Sequence, residues 1–107
     1  MMEKEQMESI AFNIILHSGL SRTMIHEAFK MMRDNSFGSA FEKLEEANDK
    51  LLLAHTSQTD LLQQYASGET FDMEIIMIHA QDHLMNTMTL KELALEMLYL
   101  YEKLENK

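Results

Sequence analysis

Apolar residues recur at helical spacing along almost the whole chain, and turn-forming residues interrupt this pattern at two places. Residues 34–38 run from Asp-Asn-Ser to a glycine, with N-cap candidates at Asn35 and Ser36. Residues 67–70 place a glycine stop at Gly68 before a second N-cap candidate, Thr70. Between these breaks the pattern predicts three helices of comparable length, over residues 5–33, 37–67 and 71–104.

The composition also favours helix. Methionine, leucine, alanine and glutamate are abundant, whereas proline and valine are absent, so strands are not expected. Three long helices with short connections predict one all-α domain over residues 1–107, an antiparallel three-helix bundle with up-down-up topology. Two alternatives stay open: a bend at Gly19 and Ser21 in the first helix, and a restart of the third helix at the capping-box spacing from Thr89 to Glu92.

The third predicted helix carries more apolar surface than a single bundle can bury. Apolar residues lie on nearly every side of it between Met73 and Leu104. A slim three-helix bundle has a small core that covers only one stripe of each helix. The surplus therefore predicts self-association.

The chain is acidic, with 18 Asp and Glu residues, 9 Lys and Arg residues and a formal charge of −9. This charge repels phosphate backbones and anionic lipid, so a basic protein is a better partner than nucleic acid or a membrane surface. Cysteine is absent, which excludes disulfides, thiolate metal sites and a cysteine nucleophile. Residues 1–6 are too polar for a signal peptide, and no stretch reaches the roughly 20 apolar residues of a membrane span. We expect a cytoplasmic protein.

The third predicted helix contains a coiled-coil-like seam with an acidic residue at its centre. Alternating four- and three-residue steps join Phe71, Ile75, Ile78, Asp82, Met85 and Thr89. A carboxylate that faces its own copies across a symmetry axis must take up a proton or share a cation, and its oxygens suit Mg²⁺ or Ca²⁺. The alternative is a rotated helix in which Asp82 faces water.

Two histidines, His79 and His83, flank this seam one helical turn apart in the sequence His-Ala-Gln-Asp-His. Neutral imidazole is a nucleophile that can accept a phosphoryl group on a ring nitrogen and pass it on. Nearby donors would stabilise the transferring oxygens, and the candidates are His83, Gln81 and Asn86. On spacing alone, a structural pair or an incidental metal site explains the same residues.

Two other classes of function fit this spacing. His-x-x-Asp-His differs by one side-chain carbon from the inverted zinc motif His-x-x-Glu-His, which would make the protein a helical metallohydrolase with Glu92 or Glu96 as a third ligand. In a structural trimeric scaffold, His79 could be replaced without consequence. Zinc content distinguishes the first alternative from a phosphoryl carrier, and phosphorylation distinguishes the second.

The run His-Ala-Gln-Asp-His-Leu-Met, from His79 to Met85, resembles the active-site motif of a known family. The family is enzyme IIA of the lactose/cellobiose (also diacetylchitobiose) class in the bacterial sugar phosphotransferase system. The likeness covers most of the chain and continues at residues 12–15 with Gly19, Arg22 and 27–28, at residues 54–61 and 66–69, and at residues 91–94 with Glu96.

The resemblance implies a cytoplasmic homotrimer in which three such subunits form a nine-helix bundle. His79 would be phosphorylated on Nε2 by the phosphocarrier protein HPr and would pass the group to a cysteine of enzyme IIB. The chain would thus act as a phosphotransferase in disaccharide uptake without binding sugar itself. Asp82 would meet its symmetry mates on the three-fold axis and bind one divalent cation, expected to be Mg²⁺. His83 would support the reaction by hydrogen bonding to the phosphoryl group.

A few features lie outside this resemblance. The family often has glutamate where Tyr65 stands, which leaves the cognate enzyme IIB open. The disaccharide (lactose, cellobiose, diacetylchitobiose or another) also stays open, because the membrane component selects it. His17 and His26 are expected to be ordinary helix residues, whereas His55 is a candidate for the border of the active groove.

Overall fold

The computed structural model describes residues 2–106, which form three helices: α1 (Lys4–Arg33), α2 (Phe37–Ala66) and α3 (Ile75–Glu105). The helices follow one another up, down and up, and the molecule measures 58 × 20 × 18 Å. The predicted all-α, antiparallel three-helix bundle is confirmed. None of these helices combines the length and the apolar character that a bilayer span requires.

Both connections contain a residue in the left-handed backbone conformation. Asn35 has a φ of 60° and Gly68 a φ of 102°, and asparagine and glycine are the residues that adopt this conformation most readily. In the first turn, the Ser36 N–H donates to a carbonyl in the last turn of α1 at 2.8 Å. In the second turn, the Glu69 N–H donates to a carbonyl in the last turn of α2 at 3.0 Å. Asn35 therefore lies in the turn that follows α1 and is not the N-cap of α2, which is Ser36.

The third helix begins at Ile75 and not at residue 71, so the predicted N-cap at Thr70 is wrong. Tertiary contacts explain the delay. The Thr70 carbonyl accepts a hydrogen bond from the Met2 N–H at 3.0 Å, and Phe71 packs on buried apolar side chains. These contacts hold the preceding residues outside the helix, and the extended Glu74 takes the N-cap position.

Neither of the two open alternatives interrupts a helix. The first helix continues through Gly19 and Ser21, and the third continues through Thr89. Thr89 Oγ1 donates to the Met85 carbonyl at 3.2 Å, which is the bond that a threonine hydroxyl makes inside a helix. The hydroxyl is thus engaged within the helix and does not cap a new one.

The core consists of two apolar clusters, one toward each end of the bundle. The site-end cluster contains Met2, Met7, Ala11, Ile14, Leu51, Ala54, Leu61, Met77, Ala80 and Leu84. The far-end cluster contains Ile25, Ala28, Met32, Ala40, Leu44, Ala47, Ala94 and Leu98. Between the two lies a polar layer of three fully buried hydroxyl side chains, Ser18, Ser21 and Thr87. The polar layer lies at the height of the predicted site, because Ser18 and Thr87 both contact His83.

Candidate functional site

The predicted site lies on the first turns of α3, and its three ionisable side chains differ in exposure. His79 and Asp82 are exposed, whereas His83 is partly buried. The rings of His79 and His83 meet edge to face, with centroids 6.2 Å apart and an interplanar angle of 70°. An accessible imidazole therefore stands beside a shielded one.

His83 is held by hydrogen bonds at both its ring and its backbone. Ser18 Oγ on α1 lies 2.7 Å from His83 Nδ1. Thr87 Oγ1 donates to the His83 carbonyl at 2.9 Å. Within residues 2–106, the other ring nitrogen, Nε2, has no hydrogen-bond partner. The polar layer thus fixes one edge of the ring and leaves Nε2 available.

The surroundings of His83 lower its pKa below the ordinary value. Burial is the largest cause, electrostatic interactions with Arg22 and His79 act in the same direction, and Asp82 opposes them. The neutral ring is therefore favoured near neutral pH. Arg22 on α1 thus contributes a positive charge that acts on His83 in an otherwise acidic protein.

Polar side chains from α2 border the same site. Gln58 Nε2 donates to Gln81 Oε1, and the neighbouring Ser57 Oγ donates to Asn13 Oδ1 at 3.0 Å. Residues 55–59 were predicted to border the groove through His55. In residues 2–106 it is Gln58 of this segment that bonds Gln81 of the motif, and no hydrogen bond or ring contact joins His55 to the two histidines.

An open apolar cavity of about 370 Å³ lies beside Gln81. Its walls are formed by Leu61, Leu62, Tyr65, Phe71 and Met73. The ring of Tyr65 packs against that of Phe71, with centroids 6.0 Å apart. Tyr65, which the sequence left without a role, therefore forms part of the apolar surface next to the motif.

Asp82 lies on a long exposed face of α3, which we call the outward stripe. The stripe contains Ile75, Ile78, Asp82, Met85, Thr89, Leu93, Leu100 and Leu104, spaced at helical intervals. Ile75 is 83% exposed and Ile78 is 56% exposed. A run of exposed apolar residues of this length is typical of an interaction surface.

The metal ligands required by the two metal hypotheses are not brought together within one chain. In the part of the chain that the structure describes, no three His, Cys, Asp or Glu side chains are grouped as metal ligands. Glu92 and Glu96 therefore do not complete a site with the two histidines, as the metallohydrolase alternative requires. A cation at Asp82 would need carboxylates from other copies of the chain.

Sequence reasoning identified the motif but did not assign the contacts that the other helices make with it. Ser18, Arg22 and Gln58 act on the motif through a hydrogen bond, a charge and a second hydrogen bond. Ser18 left a signal in the pattern as a small polar residue in the buried series that includes Ile14 and Ile25, and Gln58 lies in residues 55–59, which were candidates for the border of the groove. The partner of Ser18 depends on how α1 packs against α3.

Comparison with known proteins places the chain among similar sequences and structures. The chain matches the family described as "PTS system, Lactose/Cellobiose specific IIA subunit" over residues 9–102. The lichenan-specific phosphotransferase enzyme IIA component of Bacillus subtilis (strain 168) is 46% identical over 100 residues, covering 94% of this chain and 91% of that protein. The crystal structure of PtcA from S. mutans superposes with a TM-score of 0.93 at 58% identity, covering 94% and 99% of the two chains. A chain of the IIA(Chitobiose)-HPr complex of the Escherichia coli phosphotransferase system superposes with a TM-score of 0.77 at 28% identity, covering 92% and 96%.

Proposed function

Because this chain belongs to the lactose/cellobiose-specific IIA family of the phosphotransferase system, we propose that it carries a phosphoryl group on His79 from HPr to enzyme IIB during disaccharide uptake. The observation that carries the proposal is the pairing of an exposed His79 with a partly buried, hydrogen-bonded His83. A carrier must meet two protein partners in turn, so its nucleophile has to be accessible. A fixed ring beside that nucleophile can stabilise the charge on the transferred group.

The transfer consists of two displacements at phosphorus. In the first, the Nε2 lone pair of His79 attacks the phosphorus of phosphorylated HPr. A new nitrogen–phosphorus bond forms while the old one breaks, and its electron pair stays on the imidazole of HPr. In the second, a cysteine thiolate of enzyme IIB attacks, a sulfur–phosphorus bond forms, and the electron pair returns to His79. The chain ends the cycle unchanged, as a phosphotransferase with a covalent intermediate does.

Three neighbouring side chains suit this chemistry. The lowered pKa of His83 favours a neutral ring, which has one N–H to donate and is held in place through Ser18. Arg22 adds a positive charge that favours the approach of a phosphoryl group. Gln81, held by Gln58, is a second candidate donor.

Similarity and charge support HPr as the phosphoryl donor. A similar IIA chain has been solved in complex with HPr. The −9 charge of this chain suits a partner with a basic surface. Enzyme IIB is the acceptor in this proposal, and the transfer takes place in the cytoplasm. Sugar, nucleic acid and membrane surfaces are not ligands of this chain.

We also propose that the outward stripe is the interface of a homotrimer. Three copies that meet along α3 would bury residues such as Ile75 and Ile78, which one subunit leaves exposed. The same arrangement would bring three Asp82 carboxylates together, a set of oxygen donors that fits a hard cation such as Mg²⁺. The cation would offset the repulsion among the carboxylates and so has a structural role.

Intact mass spectrometry tests the carrier function. The protein is incubated with phosphoenolpyruvate, enzyme I and HPr, beside the variants His79→Ala and His26→Ala. We expect one acid-labile phosphoryl group on the wild type and on His26→Ala, because His26 is exposed near the far-end cluster and away from the motif. His79→Ala should gain none.

The same experiment ranks the alternatives. If the wild type gains no phosphoryl group while HPr is visibly phosphorylated, the carrier proposal is wrong and the scaffold alternative leads. Zinc bound in stoichiometric amount by that unphosphorylated protein would favour the metallohydrolase instead. A phosphoryl group that persists in His79→Ala would move the site to another histidine.

A further inference from the structure

One buried contact between α1 and α3 involves a residue of the proposed site, on the side that faces the bundle core. Ser18 is fully buried in the polar layer, and its Oγ lies 2.7 Å from His83 Nδ1. Its buried neighbours along α1 include Ile14 and Ile25, so this hydroxyl replaces an apolar side chain in a core series. A buried hydroxyl costs free energy unless it is hydrogen-bonded, and here the imidazole is the close partner.

The geometry indicates which atom carries the proton. A separation of 2.7 Å is short for a bond donated by N–H and typical of one donated by a hydroxyl. The alternative acceptor for the Ser18 proton is the Ile15 carbonyl, at 3.4 Å. That distance is close to the upper limit for a hydrogen bond, so the nearer imidazole nitrogen is the better acceptor. The hydroxyl proton is therefore directed to His83 Nδ1.

We propose that Ser18 is a positioning residue that holds neutral His83 with its ring proton on Nε2, so that His83 donates a hydrogen bond to the phosphoryl group on His79. A neutral imidazole carries one N–H, so a ring that accepts at Nδ1 must donate at Nε2. With the opposite tautomer, Nε2 would present a lone pair to the phosphoryl oxygens and would repel them. That a phosphoryl group accepts this hydrogen bond rests on the proposed function, whereas the tautomer of His83 rests only on its contact with Ser18.

The chain supplies a matched control in Ser21. Ser21 is equally buried, one helical turn further along the same helix, and within residues 2–106 its Oγ has no hydrogen-bond partner. Ser18→Ala and Ser21→Ala each remove one buried oxygen atom from α1. Only the first removes the bond to His83.

Nitrogen NMR of the unphosphorylated protein tests the tautomer directly. Long-range ¹H–¹⁵N correlations of His83 are recorded on the alkaline side of neutrality, where an ordinary histidine is neutral. We expect the Nε2–H tautomer in the wild type and in Ser21→Ala, and a mixture of both tautomers in Ser18→Ala. A wild-type His83 that carries its proton on Nδ1, or a Ser18→Ala spectrum identical to that of the wild type, overturns the proposal.

Transfer kinetics test the consequence. Ser18→Ala should slow phosphoryl transfer from HPr to His79 about fivefold, the effect of one ordinary hydrogen bond, whereas Ser21→Ala should stay within about twofold of the wild type. Ser18→Ala added to His83→Ala should have no further effect, because Ser18 acts through His83. If the two substitutions slow transfer independently, Ser18 acts elsewhere and the proposal is wrong. A wild type that accepts no phosphoryl group overturns the proposed function, while the NMR measurement still decides whether Ser18 orients His83.

Discussion

Two opposite faces of α3 have similar compositions but differ in what covers them. The inward stripe, which consists of Met77, Ala80, Leu84, Thr87, Ala94 and Leu98, is covered by the rest of the bundle to 3% exposure or less. The apolar residues of the outward stripe are all at least 50% exposed. Leu84 and Ile78 are both large aliphatic residues less than two turns apart, yet one is fully buried and the other is 56% exposed. The fold of one chain explains the first face, and the proposed homotrimer would explain the second.

The proposed site lies at the boundary between these faces. Asp82 belongs to the outward stripe, His83 contacts the buried polar layer, and His79 is exposed beside both. One face therefore supplies rigidity to the site, and in the proposed homotrimer the other would supply contact with further chains. This division predicts that substitutions on the two faces have different consequences, which can be measured separately.

The largest effect is expected from a charge on the outward stripe. Ile78→Glu would place three additional carboxylates at the proposed three-fold interface, where like charges cost several kcal/mol. We expect sedimentation equilibrium to show monomers for this variant and trimers for the wild type, with unchanged helical content by circular dichroism. Ile78→Leu, which keeps the position apolar, should remain trimeric. A trimeric Ile78→Glu would remove the outward stripe from the interface.

A smaller but substantial effect is expected on the inward stripe. Leu84→Ala would leave a cavity in the site-end cluster and should lower the free energy of unfolding by about 3 kcal/mol. Leu52→Ala makes the same chemical change at a leucine that is 52% exposed on α2, and should cost less than about 1 kcal/mol. Urea unfolding at one fixed chain concentration measures both, since the stability of an oligomer depends on concentration. Equal losses at the two positions would contradict the burial described for α3.

The smallest effect concerns the cation proposed at the centre of the outward stripe. Removing divalent ions with a chelator should destabilise the wild-type trimer by about 2 kcal/mol, the linkage expected for a site that is close to saturated. Asp82→Leu replaces the carboxylate with an apolar side chain, so its thermal midpoint should not respond to the chelator. A wild type that is equally insensitive would show that the Asp82 carboxylates hold no cation. Recovery of the midpoint on adding Mg²⁺, but not Zn²⁺, would identify a hard-ion site.

The arrangement of helices could be predicted from the sequence because its signals are local. A turn such as the one at Gly68 depends on a few neighbouring residues, and the helical apolar period is repeated many times in each segment. The start of α3 was predicted wrongly because the Met2 N–H and the packing of Phe71 act on it from outside the segment. A cap candidate such as Thr70 is decisive only when no tertiary contact competes with it.

The candidate site was predictable in part, and for the same reason. His79, Asp82 and His83 lie within two turns of one helix, so their proximity follows from helical geometry alone. Ser18 and Gln58 belong to other helices, and their contacts to the motif depend on the register in which those helices pack. A pattern can indicate that Ser18 is buried, but it does not identify the side chain that Ser18 meets.

The sequence by itself therefore determined the helices, most of their ends, the surplus of apolar surface on α3 and the identity of the motif. These properties depend on residues only a few positions apart, where backbone geometry sets the distances. Only the tertiary structure decided which histidine is shielded, where the polar layer lies, and that Ser18 bonds His83 across 65 residues of chain. Such contacts result from the packing of all three helices at once, and no single segment of the chain specifies them.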